Sequence, residues 1–237
     1  MRQSVGAKRE AMKRPAILIA VTLTLVAAAV GLGAAASVAG APTARTYTAR
    51  VFMRGMKVTV PNRRWTIFED HPGEFNLAAP AGPMGGTNIH FWLDPRATAP
   101  HGVLLHHVGR TPMALIRWLR HNPDFVVSAP TTQRIAGNLA AKSVDLNLSA
   151  TAPREDPSCP SPCVTYFVFN GPGYSFPYGT GRGEPVRLYF ATIPSDKAKH
   201  TFTISIDAPS SKAFNAVIRT AEKILASVRL PRKVSAG

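Results

Sequence analysis

Apolar and polar residues alternate with period two in two stretches of the C-terminal half. Val144, Leu146 and Leu148 interleave with Ser143, Asp145, Asn147 and Ser149, and Phe202, Ile204 and Ile206 with Thr201, Thr203, Ser205 and Asp207. Successive side chains of a strand point to opposite faces, so both stretches predict strands with one buried face. Residues 164–169 and 186–193 are apolar at both phases, which predicts central strands covered on both sides. Earlier, 74–77 and 88–94 are strand-like, and 57–60 and 65–68 flank Pro61-Asn62-Arg63-Arg64, predicting a hairpin or a tight connection. The Pro/Gly-rich stretches 80–86 and 170–184 read as loops.

The period changes to that of a helix twice. Thr111 is a candidate N-cap, Pro112 suits the first helical position where its missing N–H costs nothing, and Asn122-Pro123 ends the run. Leu115, Ile116, Trp118 and Leu119 share an arc opposite Arg117, Arg120 and His121, predicting a short helix packed on a sheet through its Trp side. A second helix begins at Pro209-Ser210-Ser211 and runs to about Val228, with Ala213, Phe214, Val217, Ile218, Ala221, Ile224, Leu225 and Val228 on one side. Strands, a short helix, more strands and a closing helix define an α+β domain. Its mainly antiparallel sheet carries a short central helix and a long C-terminal helix packed on it.

Residues 15–41 hold no charged side chain and follow a stub rich in Arg and Lys. About 20 apolar residues span the hydrocarbon core of a bilayer, and a positive flank stays inside. The stretch fits a single N-terminal transmembrane anchor and also a signal peptide, with small residues at Ala34, Ala36, Ala39 and Ala41. The long basic stub and Pro42 directly after the best cleavage site favour the anchor. No cysteine lies near its end to accept a bacterial lipid. The expected organisation is a cytoplasmic stub at 1–14, an anchor or signal segment at 15–41, a linker at 42–50, an exported α+β domain at 51–230 and a flexible tail at 231–237. The expected location is the cell membrane, single-pass with an extracytoplasmic domain, or the exterior if the segment is cleaved.

Composition sharpens this picture. Apolar residues make up 45% and charged residues 17%, which describes a folded chain, and 21 Pro with 18 Gly make it rich in turns. The net charge is +15; Arg2, Lys8, Arg9, Lys13 and Arg14 against Glu10 account for part of it, and the remainder keeps +11. Outside a membrane the polyanions within reach are wall polymers and acidic lipids rather than nucleic acid. The two cysteines, Cys159 and Cys163, enclose Pro-Ser-Pro. In an exported chain this spacing predicts a local disulfide, and C-x-x-x-C is not the C-x-x-C of redox enzymes.

Several stretches carry a resemblance: WTIFEDHPGEFNLAAP at 65–80, TPMALIRWLRHNPDFVVSAP at 111–130, ISIDAPSSKAFNAVIRTAEKILASVRL at 204–230, with CPSPC at 159–163 and GEPVRLYF at 183–190. Together they resemble an uncharacterised family of exported domains from high-GC Gram-positive bacteria, and the layout resembles the PsbP-like α/β/α sandwich. The resemblance implies a non-enzymatic accessory or binding role.

Candidate chemistry is thin. His90, His101, His106 and His107 cluster in sequence with Asp94, but their spacing matches no metal-ligand motif and adjacent strand positions point apart. Neither G-x-S-x-G nor S-x-x-K occurs, and Glu69, Asp70 and Glu74 read as a solvated hairpin turn. The glycine-rich 170–184 stretch leads into a strand rather than a helix, so it is no phosphate cradle. Its Tyr174, Phe176 and Tyr178, beside Arg182 and Arg187, form a candidate recognition surface, since aromatic and Arg anchors dominate binding patches. The leading expectation is a non-catalytic cell-envelope protein with no cofactor, no metal and no nucleic-acid partner. It meets the membrane through its N-terminal helix and binds a protein or an anionic wall or membrane component. The runner-up is an exported hydrolase or metal-dependent enzyme using His90, Asp94, His106 and His107.

Overall fold

The computed structural model describes residues 43–79, 86–157, 159, 161–171, 174–195 and 198–232. The stub at 1–14, the apolar segment at 15–41, the loop at 80–85 and the end of the tail at 233–237 lie outside the described residues.

Among the described residues, fourteen strands and two α-helices build the domain. The main sheet is antiparallel throughout. It contains β3 (Thr66–His71), β4 (Glu74–Ala78), β5 (Asn88–Leu93), β14 (Lys199–Asp207), β13 (Val186–Pro194), β10 (Leu139–Leu148) and β8 (Phe125–Val127), in that order. The ninth strand, β9 (Thr131–Ile135), pairs with the other end of β10. A second sheet runs β12 (Tyr174–Gly181), β11 (Cys163–Gly171), β6 (Arg96–Ala99) and β7 (Val103–Leu104). The remaining strands, β1 (Arg45–Thr48) and β2 (Lys57–Val60), form a separate two-stranded sheet.

Each face of the main sheet is buried, and against different partners. Phe75, Leu77, Ile89, Phe91, Phe202, Ile204 and Ile206 point to one side, where the β1–β2 hairpin, Phe52, Met56 and α2 (Ser211–Ser227) cover them. The opposite face meets the second sheet and α1 (Pro112–His121) through Trp92, Val144, Leu146, Leu188 and Phe190. Both helices start where capping chemistry places them: Thr111 Oγ1 accepts from Ala114 N at 3.3 Å, and Ser210 Oγ from Ala213 N at 3.2 Å.

Four expectations change. The stretch read as a linker contains β1, whose Tyr47 is buried and donates to Trp65 O at 2.8 Å. Between 57–60 and 65–68 the tight connection holds, with β2 ending at Val60 and β3 beginning at Thr66, but it is no hairpin, because β2 pairs with β1 and bonds Arg229 through Lys57, while β3 pairs with β4. The polar phase of β14 is not solvated: Thr203 and Ser205 are fully buried, since the second layer covers that face too. Most of the 170–184 stretch is the strand β12, and within it Gly179 and Gly181 serve close packing. A Cβ on Gly179 would fall 2.5 Å from Val164 O of the neighbouring strand.

Candidate functional site

Alternation along β5 sends Ile89 and Phe91 to one core and therefore His90 and Trp92 to the other. The register places His90 between Asn76 of β4 and Ser205 of β14, and Asn88 beside Asp207. His90 Nδ1 bonds the Glu74 carboxylate, and its Nε2 lies 3.2 Å from Asp207 Oδ1. Tyr178 reaches down from the second sheet and donates its hydroxyl to the same Asp207 oxygen at 2.7 Å, and Asn88 Nδ2 donates to Asp207 Oδ2 at 3.2 Å. The imidazole stacks on Trp92 with centroids 5.0 Å apart and meets Tyr178 edge-on, also at 5.0 Å.

The electrostatics follow from this arrangement. Burial opposes a charge on His90, but Asp207 and Glu74 outweigh it and the ring is pushed up to about 9. Burial alone would raise Glu74, yet the hydrogen bond and charge of His90 hold it below its ordinary value. A doubly protonated ring with both N–H groups given to carboxylates has no lone pair for a proton or a metal. The cluster is thus an ionic brace between the layers, not a general base.

The residues expected to form a recognition surface do not share a face. Phe176 is exposed on β12, whereas Tyr178, two positions on, is turned inward to Asp207. The backbone of Tyr174 lies in β12 opposite Gly171, and its side chain is outside the described set. Arg182 donates to Ala150 O at 3.0 Å from the turn after β12. Arg187 lies on the α2 side of the main sheet, where Nε and Nη2 reach Asp145 at 2.6 and 3.0 Å and Nη1 reaches Glu222 at 2.8 Å. Phe176 and Tyr178 keep the same phase of β12, so they differ by their place along the strand, while Arg182 lies in the turn beyond it and Arg187 in the other sheet.

The histidine–aspartate set of the runner-up is scattered as well. Asp94 accepts from His200 Nδ1 at 2.5 Å and from Thr201 N at 2.8 Å, while His106 is exposed beside Arg96 and His107 is exposed. Sequence reasoning missed His200 and Asp207 and placed Glu74 in a solvated turn, whereas the carboxylate is buried. The one available signal was phase, since Glu74 and Asn76 alternate with Phe75 and Leu77, and an acidic residue on a strand flanked on both sides is a candidate for an internal partner. Cys159 and Cys163 do form the expected disulfide, with Cα atoms 6.3 Å apart. Arg154 braces that loop by donating to Pro157 O at 2.8 Å and to Cys159 O.

Two cavities flank these features. One of about 590 Å3 opens between the start of α1 and the ends of β13 and β14, lined by Arg110, Lys199 and His200 together with Asp94, Thr111 and Thr201. Two of its threonine hydroxyls are engaged: Thr111 Oγ1 caps α1, and Thr201 Oγ1 donates to Arg110 O at 2.6 Å. The other, about 330 Å3, lies beside the disulfide and is lined by Glu155, Asp156 and Glu184. Two of these acids hold backbone amides, Glu155 accepting from Thr165 N at 2.9 Å and Glu184 from Gly181 N at 2.7 Å.

No family model matches the chain, and no curated protein matches it. Among solved structures it is similar to LpqN of Mycobacterium tuberculosis, described as involved in cell envelope biogenesis. That likeness has a TM-score of 0.42 and 14% identity, covering 75% of this chain and 84% of LpqN. It is also similar to the cyanobacterial PsbP (CyanoP) of Synechocystis sp. PCC 6803, with a TM-score of 0.40 and 10% identity, covering 84% of this chain and 99% of that one. No residue role is carried over from either protein.

Proposed function

We propose that this chain is a non-catalytic accessory domain of the cell envelope that works outside the cytoplasm and binds an anionic wall polymer or lipid headgroup. The observation that carries the reading is the cavity at the start of α1. Arg110 and Lys199 line it, and the carboxylate in the lining, Asp94, is already engaged by His200 and the Thr201 amide. Phosphate and carboxylate groups are the natural occupants of such a basic recess, and the +11 carried beyond the N-terminal stub attracts them from a distance. The Cys159–Cys163 disulfide supports an oxidising compartment. The uncharged stretch at 15–41 behind a basic stub supports export, as an anchor or as a signal segment.

The test is retention of the detergent-solubilised full-length chain on immobilised wall polymer and, separately, on beads coated with phosphatidylglycerol. Wild-type retention should fall as salt rises from about 50 mM to about 300 mM. The double variant R110Q/K199Q should be retained several-fold less on whichever material is the ligand. Equal retention of variant and wild type on both materials sinks the reading.

The Asp94–His200 pair at the edge of the same cavity favours a second reading, hydrolysis with His200 as base toward water. It ranks second because Arg110 and Lys199 make the recess basic, which suits holding an anion, and Asp94 is the single carboxylate in its lining. Turnover of aryl phosphate or aryl acetate esters that disappears in H200Q would reverse the order.

A further inference from the structure

The hairpin β3–β4 collects metal-binding side chains on one face. Antiparallel pairing sets His71 directly opposite Glu74, and Glu69 opposite Asn76, so all four lie on the side facing the second layer. Asp70, at the opposite phase, is turned away and accepts the amides of Arg50 and Phe52 at 2.7 and 2.9 Å. Donor atoms of Glu69, His71 and Glu74 all lie within 4.8 Å of one another. Glu74 is almost fully buried at 2% exposure, while the side chains of His71 and Glu69 are 36% and 33% exposed. The cluster is anchored inside and open outside.

Two further observations point to a cation. Asn76 is 3% exposed, sits between Glu69 and His90 in the register, and its Oδ1 has no hydrogen-bond partner. A buried acceptor oxygen without a donor costs free energy unless something electropositive meets it. Glu69 and Glu74 also bring carboxylate oxygens within 4.8 Å of each other on the same face of the hairpin. Two carboxylates that close need a shared proton or a cation between them.

We propose that Glu69, His71 and Glu74 form a binding site for a divalent transition metal of the zinc class, with the Asn76 amide oxygen behind them. Two carboxylate oxygens and one imidazole nitrogen match Zn2+, which accepts O and N ligands at about 2.0–2.2 Å and leaves a fourth position to water on the exposed side. The imidazole argues against Ca2+ and Mg2+, which take oxygen ligands. His90, bonded to the Glu74 carboxylate, orients it as outer-layer partners of metal ligands do. A bound ion would fasten the edge strand β3 to the body of the sheet.

The full-length chain, stripped with EDTA and dialysed, is titrated calorimetrically with ZnCl2 and with CaCl2. Exposed His106 and His107 are the obvious source of adventitious zinc binding, so H106Q/H107Q is the control. Both E69Q and H71Q alter partly exposed side chains, so the fold survives, as circular dichroism verifies. The expected result is one zinc equivalent, no calcium binding at the same concentrations, an affinity lowered about tenfold or more in E69Q and in H71Q, and an unchanged control. Three results overturn the proposal: no zinc binding by the wild type, unaltered affinity in both hairpin variants, or loss of binding in the control.

Discussion

Tyr178 and Asp207 join the two sheets: the phenol of β12 donates to Asp207 Oδ1 of β14 at 2.7 Å, beneath a covering of aromatic rings. Burial and the nearby Asp207 charge hold the phenol well above its ordinary range, so it stays a donor at neutral pH. Replacing Tyr178 with Phe keeps the ring packing and removes one donor from a buried carboxylate. The expected loss is about 1.5–3 kcal/mol, read as a lowered urea midpoint with an unchanged slope.

The His90 brace predicts a pH dependence whose sign follows from its raised pKa. An unfolded histidine titrates near 6.5, and His90 in the folded chain near 9. The folded state binds the proton more tightly, so this stabilisation is complete below about pH 6.5 and is lost as pH rises through about 9. In EDTA the loss should amount to about 3 kcal/mol at most. Denaturant midpoints measured across that range in wild type and H90Q check it. H90Q should be destabilised by about 3–5 kcal/mol at pH 6, because it strands Glu74 and Asp207 without their cation, and should show a flatter profile.

Arg187 ties the main sheet to α2 through Asp145 and Glu222 and lies 5.7 Å from the Phe214 ring centre. Its carboxylate partners are 45% and 37% exposed, so solvent screens much of the attraction. A double-mutant cycle of R187M with E222Q should give a coupling of about 1 kcal/mol or less. R187M alone should leave retention on anionic material unchanged, in contrast to R110Q/K199Q, because Arg187 is remote from the basic cavity.

The Cys159–Cys163 bridge closes a very short loop ahead of β11. Loop-closure entropy for so few residues falls below the ~3 kcal/mol of a 15-residue loop. Thiol titration of the unreduced, unfolded chain should therefore find no free cysteine. The variant C159S/C163S should remain folded, with a loss under about 3 kcal/mol in the urea midpoint.

The elements that were legible in the sequence are those whose signals are local. The cap at Thr111 with Pro112 behind it, the cap at Ser210, and the apolar phases of β10, β13 and β14 all appear where periodicity puts them. Pairing was not legible. The joining of β14 to β5, and the placing of β6 and β7 in a separate sheet, depend on contacts distant in sequence. The strand β12 was hidden by Gly and Pro, which mean a loop unless a neighbouring backbone passes close by. Asp94 and His90 were singled out together, yet each has its own partner, and for Asp94 it is His200, 106 residues away.

The covering of His90, Glu74 and Asp207 by Tyr178 gives the sandwich a lateral address. Hydrocarbon surfaces tolerate slippage, whereas moving β12 by one residue would turn the phenol outward and leave Asp207 short of a donor. The two layers can therefore dock in one registry, and a homologous exchange of β11–β12 into another scaffold would need this acidic socket as much as a matching apolar surface.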